Sequence, residues 1–405
     1  MNAKSDLFIW GDNWWFENNK AWFVWGVENV LCCVDLVTTR CDLLRYIPDK
    51  ATSKFRLTPY CIKYQDDIYC MPSYGKSVWV YNTTNYAFDE ICIDNPDEIS
   101  IGIQAFWIYE NKIYAVSNDM KQIIEINHYT KKVDNCYQIC KKGVLTQSIK
   151  VDSFIYSLNG ESGEIYQFDL TKKNFRMYKL PQIGKKYFTM CHDGEKFWLS
   201  GYCKEVYIWD SLTNKINIVN GFPRDFGIYD FTEETDGKAN CIASEYKRFA
   251  FIHSVTLGEN IWFIPYITNK IIYVNKYTYQ IHTFEVNEED ETKESILSRR
   301  NLWYKYLLEY VKDERYLGLY SIKNNCMMEI DTVKMTYEYR SYDCKIGNKC
   351  VQDYIRIYGN IFGEQISAWR QKVFESMVCL ENINEHNTKT NYIGSAIYRK
   401  MINSG

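Results

Sequence analysis

Short apolar runs, each closed by Asp or Asn and each followed by a second run, recur along the whole chain. The segment "EVYIWDSLTNKINIV", Glu205 to Val219, shows the unit: alternating aromatic and β-branched residues, an Asp-x-x-Thr interruption, then resumed alternation. Alternation of this kind reads as half-buried strand. An Asp or Asn side chain can bond backbone N–H groups just downstream and fix a tight turn. The pattern therefore predicts two antiparallel strands joined by an Asx turn. It makes the Asp a turn residue rather than a catalytic acid.

Seven segments share this pattern: "VLCCVD", "SVWVYN", "QIIEIN", "EIYQFD", "EVYIWD", "KIIYVN" and "CMMEID", ending at Asp35, Asn82, Asn127, Asp169, Asp210, Asn275 and Asp331. A Thr follows most of them, as at Thr38, Thr130, Thr171, Thr213 and Thr278. Each is preceded at a near-constant offset by another strand, beginning at Trp22, Ile68, Ile113, Ile155, Phe197, Ile261 and Tyr316. A polar turn and a further strand stand ahead of that, as in "AFWIY" and "KYFTMC". Each unit thus reads as four antiparallel strands, and repeats of this size and make-up are the signature of a β-propeller. The expectation is an all-β, seven-bladed propeller over residues 1–350. Two insertions interrupt the period, near 222–247 and 287–310, and a helical turn is expected in the second. Residues 351–405 are less regular. "ISAWRQKVFESMVCLENI" places Ile366, Trp369, Val373, Phe374, Met377 and Leu380 at helical spacing, which predicts a partly helical C-terminal cap. The strand "LFIW", Leu7 to Trp10, is expected to complete the last blade.

The segment "GENIWFIPYITNKIIYVNKYTYQIHTFEV" resembles the loose consensus of bacterial propellers of the YVTN, NHL and kelch-like kinds. The resemblance runs from about Trp14 to Asp343 and implies the fold. The double glycine of kelch repeats is absent, and the Gly-His and Trp-Asp pairs of WD repeats are not repeated. Such propellers include enzymes, lectins, scaffolds and peptide binders, so the resemblance implies no single activity.

Composition narrows the partners. The net charge is −3 and the Lys pairs are scattered, so the phosphate-displacing basic surface of a nucleic-acid binder is missing. No apolar run reaches the roughly 20 residues that span a bilayer, which predicts no membrane insertion. The N-terminal sequence lacks the pattern of a signal peptide. The 15 cysteines are irregularly spaced, which predicts free thiols in a reducing, cytoplasmic setting. Adjacent Cys32 and Cys33 point to opposite strand faces, and no Cys-x-x-Cys pairing occurs, so no metal site is expected.

Chemistry-bearing motifs are missing too: there is no G-x-S-x-G, H-E-x-x-H, phosphate loop or dinucleotide fingerprint, and no cofactor is expected. Of five histidines, His253 in "RFAFIHSV" falls on an innermost strand and is placed to line the central channel. In a four-stranded meander the Asx turns and the first polar turns share one end of the blade. The loops between second and third strands lie at the other end. Those loops offer Glu28, Tyr74, Asp119, Glu161, Tyr202, Tyr266 and Asn324. Varied loops on a rigid scaffold commonly carry function. Tyr rings beside carboxylates and amides suit a sugar or a peptide. The sequence therefore predicts a binding or scaffolding module for a peptide, protein or glycan on this loop-rich end. The alternative is a lyase, hydrolase or epimerase acting on a glycan or peptide at the channel, with His253 involved.

Overall fold

The computed structural model describes residues 13–26, 29–48, 58–94, 101–181, 187–201, 205–223, 226, 250–266, 268–288, 305–322, 324, 326–346, 349–350 and 352–353. Seven successive antiparallel sheets of four strands make a seven-bladed β-propeller. Blade 1 is β1 (Trp15–Glu17), β2 (Lys20–Trp25), β3 (Val30–Asp35) and β4 (Arg40–Tyr46). Blade 2 is β5 (Tyr60–Tyr64), β6 (Asp67–Met71), β7 (Ser77–Asn82) and β8 (Phe88–Cys92). Blade 3 is β9 (Ile103–Tyr109), β10 (Lys112–Ser117), β11 (Gln122–Asn127) and β12 (Lys132–Gln138). Blade 4 is β13 (Leu145–Val151), β14 (Phe154–Asn159), β15 (Glu164–Asp169) and β16 (Asn174–Lys179). Blade 5 is β17 (Tyr187–His192), β18 (Phe197–Gly201), β19 (Val206–Asp210) and β20 (Lys215–Val219). Blade 6 is β21 (Phe251–Leu257), β22 (Asn260–Pro265), β23 (Lys270–Asn275) and β24 (Ile281–Glu285). Blade 7 is β25 (Tyr306–Lys312), β26 (Tyr316–Ser321), β27 (Cys326–Asp331) and β28 (Thr336–Arg340).

The chain divides into two compact units. Unit 1 (residues 1–90 and 340–405) holds blades 1 and 2, and unit 2 (residues 91–339) holds blades 3 to 7. Within unit 2 the first strands β9, β13, β17 and β21 lie each against the next, so they are the innermost strands. Within each unit the second and third strands are nearly all buried and pack against those of the neighbouring blade. One such cluster joins Trp262, Ile264 and Ile271 of blade 6 to Leu317, Leu319 and Met328 of blade 7.

All seven Asx turns are present. Oδ1 of each of the seven Asp and Asn residues accepts from the N–H groups two and three positions on, at 2.8–3.2 Å. The residue four positions on is left-handed in every copy: Thr39, Tyr86, Lys131, Lys173, Asn214, Tyr279 and Met335, with φ between 51° and 61°. The turn therefore closes with the same backbone in seven different sequences. The local side-chain bonds override the reluctance of non-glycine residues to adopt this conformation.

Three expectations meet different outcomes. The insertion expected to run to Tyr310 gives way to regular strand at Tyr306, because "YLLEYVK" is the innermost strand of blade 7. The helical turn placed in that insertion, nearly all of the insertion near 222–247, and "LFIW" lie outside the described residues. A helical C-terminal cap is not supported: of residues 351–405 only 352–353 are described, and the described residues hold almost no helix beyond 349–350 and 352–353. Ahead of that segment a fifth strand joins blade 1, β29 (Asp343–Ile346), parallel to β4 with Cys344 opposite Cys41. The amphipathic stretch around Trp369 lies outside the described residues. The strand covers an outer edge whose unpaired backbone groups would otherwise be exposed.

Candidate functional site

The innermost strands of unit 2 share an irregularity that alternation along the sequence does not show. Each carries a β-bulge. In blades 3 to 6 the extra residue is Gln104, Thr146, Phe188 or Ile252, in each case the second residue of the strand. That position is at the end bearing the loops between second and third strands. In blade 7 the extra residue is Glu309, further along the strand. The register of β5 on β6 in blade 2 has no such shift. A bulge bends the strand and re-aims its side chains, and bulges concentrate next to binding sites.

Side chains beside the bulges staple one inner strand to the next. Gln104 Nε2 donates to Ser148 Oγ at 3.2 Å, and Ser148 bonds Ser157 at 2.9 Å. The Met190 N–H donates to Gln147 Oε1 at 2.7 Å. Thr256 donates to the carbonyl of His192 at 2.9 Å, at the opposite end of the strands. These bonds hold the wall of inner strands without a continuous backbone ladder. Two hydroxyls at the loop end, Thr146 Oγ1 and the fully buried Tyr187 OH, have no hydrogen-bond partner among the described residues. Burial first, and then the charge of Glu205, push the Tyr187 phenol up to about 12.

A backbone relay crosses the same end from blade 5 to blade 7. Ala250 N–H donates to the Gly201 carbonyl at 3.2 Å, Tyr266 to Ala250 at 3.0 Å, Lys305 to Tyr266 at 2.8 Å and Ile322 to Lys305 at 3.1 Å. Lys305 is fully buried, a rare position for a cation. Glu288 accepts from Tyr306 OH at 3.1 Å and from Tyr339 OH at 2.9 Å. Burial and the Glu288 charge push the nearby Cys326 thiol up to about 11.

The loop residues expected to form the recognition surface separate under this geometry. Tyr74 is exposed in the β6–β7 loop of unit 1. Tyr266 is buried, because the relay pins its backbone on both sides. Asp119 is half-buried with its carboxylate over Gly102, where an added Cβ would lie 2.6 Å from it. Gly102 has φ +60°, so both its conformation and its lack of a side chain are needed there. Glu161 is exposed, its N–H donating to Asn159 Oδ1 at 3.3 Å. His253 is half-buried on β21, directly after the Ile252 bulge and opposite Ile264. Glu28 and Tyr202 lie outside the described residues. Gln104, Thr146, Gln147, Tyr187, Glu288 and Lys305 were not expected at this end. For Lys305 the signal was present, a cation just ahead of an apolar strand, but it sat in a charge-rich run read as an insertion.

Among the described residues, no group of three or more His, Cys, Asp or Glu side chains is arranged to hold a metal ion. The described cysteines are all free thiols.

No protein-family model matches this chain, and no curated protein matches it. Solved structures do match. A streptogramin B lyase superposes with a TM-score of 0.55 at 12% identity, over 84% of this chain and 96% of that one. A virginiamycin B lyase from Staphylococcus aureus gives 0.56 at 10% identity, over 80% and 95%. The computationally designed protein Ika8 gives 0.53 at 10% identity, over 84% and 88%. The chain has the fold of these propellers. At such identities the likeness is one of fold alone.

Proposed function

We propose that this protein is a ligand-binding propeller that recognises a peptide, protein or glycan at the loop end of its inner strands. One observation carries the reading: consecutive inner strands of unit 2 are bulged, and four of the bulges fall at the same register and the same end. Propeller closure does not need them, since blade 2 pairs its inner strand without one. Their effect is to turn polar groups such as Gln104 and Thr146 away from regular strand positions. The half-buried His253 and the half-buried bulge residue Gln104 add donors and acceptors that suit a ligand rich in amides or hydroxyls. The free, mostly buried thiols suit work in a reducing, cytoplasmic compartment.

A second reading keeps the same end and makes it catalytic, a lyase, hydrolase or epimerase on a glycan or peptide. His253 beside the Ile252 bulge favours it, as a group that can exchange a proton near neutral pH. That solved lyases share the fold is compatible with this reading and transfers no residue to it.

Peptide and glycan arrays probed with the full chain and with His253→Ala and Glu161→Ala, both in unit 2, test both readings. Binding to one ligand class, weakened about tenfold or more in a folded variant, supports recognition at this end. Product formation by mass spectrometry that disappears in His253→Ala supports the catalytic reading. Array binding that neither substitution alters sinks both.

A further inference from the structure

Exposed apolar side chains gather at the opposite end of the blades. Two positions after the Asx residue, each turn presents its most projecting side chain. In unit 2 these are Tyr129 (67% exposed), Leu212 (95%), Tyr277 (66%) and Val333 (71%). Only blade 4 places a polar residue, Thr171, there within the unit. Val37 of blade 1 holds the same register and is 73% exposed. Exposed single apolar residues are ordinary. Recurrence at one register position, where the turn itself asks for nothing apolar, is not explained by folding.

Basic residues accompany the tips. Lys131, Lys172, Lys276 and Lys334 lie within the same turns of unit 2, and Lys132 and Lys215 directly after them. Lys276 Nζ stands 5.3 Å from the centre of the Tyr277 ring. The turn aspartates keep their charge, Lys172 Nζ stands 3.8 Å from Asp169 Oδ2 and Asp331 is paired with Arg315, but these lysines outnumber Asp169, Asp210 and Asp331 in the same turns. The acidic residues of this end, such as Asp152, Glu195 and Glu259, sit in the turns between first and second strands, nearer the inner strands. Tips and turn lysines thus share the outer turns, while cations and acids are mixed in the inner ones.

We propose that the Asx-turn end of blades 3 to 7 is a docking surface for an anionic lipid bilayer, with Tyr129, Leu212, Tyr277 and Val333 entering the headgroup layer and the turn lysines meeting lipid phosphates. The tips project singly from separate blades with polar residues between them. They form no contiguous apolar centre of the kind a protein interface needs. Tyrosine and lysine at projecting points match the boundary between headgroups and acyl chains. Attachment is peripheral, since no helix among the described residues is long and apolar enough to cross a membrane. It leaves the loop end of the inner strands facing away from the bilayer, so it neither requires nor excludes the ligand proposed there.

The test is co-sedimentation of the full chain with vesicles of phosphatidylcholine, with and without phosphatidylserine, at low and high salt. The protein is expected to sediment with the phosphatidylserine vesicles, less at high salt, and poorly with phosphatidylcholine alone. Leu212→Ser with Tyr277→Ser should lower partitioning about tenfold. Lys276→Glu with Lys334→Glu should lower it on the anionic vesicles. Met177→Ser, at an exposed apolar residue on the outer strand β16, should change nothing. All these positions are exposed except the half-buried Lys276, and unchanged melting curves will show that the variants fold. No sedimentation with either vesicle, or sedimentation that both double variants leave intact, overturns the proposal. So does a tip variant that alters self-association in sedimentation velocity while vesicles are ignored, which would assign the tips to contacts between copies.

Discussion

Tyr310 reaches across Gly318 to donate its hydroxyl to Glu329 Oε2 at 2.7 Å. In the other blades of unit 2 the position of Gly318 holds an aromatic residue, Tyr114, Tyr156, Trp198 or Trp262. In blade 3 that Tyr stands opposite Glu125, as Gly318 stands opposite Glu329. Blade 7 supplies the ring from its inner strand instead. The bulge at Glu309 shifts Tyr310 into register with Gly318, and the missing side chain makes the room.

An added Cβ at Gly318 would lie 2.3 Å from Tyr310 Cε1. Gly318→Ala should therefore destabilise the protein by about 1–3 kcal/mol, the usual cost of overpacking. In a Tyr310→Ala background the same change should cost much less. A double-mutant cycle by urea unfolding checks this, and additive effects would show that the ring and the glycine are not coupled.

The Asx turns should set part of the acid limit of stability. The Asp35, Asp169 and Asp210 carboxyls are held below their ordinary range, chiefly by backbone N–H donors in their own turns. A depressed carboxylate pKa stabilises the fold above its unfolded value, about 3.9, and that contribution is lost as pH falls through the folded value. Asn82, Asn127 and Asn275 make the same turns without titrating. Asp35→Asn, Asp169→Asn and Asp210→Asn together should leave the melting temperature near neutral pH little changed and flatten its fall in acid. Melting curves of the triple variant across the acid range decide this. Asp331 is left out because its carboxylate also takes a two-point bond from Arg315, which an amide would not replace.

Buried Glu125 makes the opposite prediction when its partners are removed. Burial alone would raise its pKa. Hydrogen bonds from Lys112, Tyr137 and Lys173 outweigh burial and hold it below the ordinary carboxylate range. Lys173 comes from blade 4, with Nζ 3.2 Å from Oε2, and so ties two blades together. Lys112→Met with Lys173→Met leaves the carboxylate buried without a cation and should cost about 3–5 kcal/mol at pH 7. The sign of the pH dependence should also reverse. With the folded pKa now raised, the charged form penalises the fold, so stability is greatest at low pH and is lost as pH rises through the folded value. Denaturant melts at pH 5 and 7 test this, and a double variant less stable at pH 5 than at pH 7 would refute it.

How much the sequence disclosed depends on the range of the interaction. The Asx turns were legible residue by residue because Asp210 bonds Leu212 and Thr213, its own neighbours. Strand identity followed from alternation for the same reason. The bulges were not legible, since one extra residue such as Ile252 in a strand of mixed apolar residues leaves the alternation readable either way. Tyr266 looked like an exposed loop ring, but its burial is decided by partners at Ala250 and Lys305, the latter beyond a long intervening segment. Strand β29 is four residues with a parallel partner three hundred positions away, and nothing local announces it.

Beyond its ladder to β4, a side-chain clamp ties the turn after that remote strand to blade 1. Arg45 on β4 donates Nη2 to Asp353 Oδ1 at 3.2 Å and Nε to its Oδ2 at 2.5 Å, and donates Nη1 to the Tyr86 carbonyl at 2.7 Å. The pair is nearly buried, so the turn after β29 depends on it. Beneath β29, Cys344 faces Cys41, and the bond to that thiol together with burial holds Cys344 well above the ordinary thiol range. In the native protein Cys344 should resist alkylation while the exposed Cys92 reacts. Arg45→Met should let the C-terminal turn detach and β29 fray, a local opening rather than global unfolding. Peptide-mapped alkylation should then rise several-fold at Cys344 and Cys41, with Cys70 in blade 2 still protected. Equal gains at all three sites would mean that the clamp supports the whole of unit 1. No gain at Cys344 would mean that the strand is held by its ladder and the edge it covers, with the ion pair adding little.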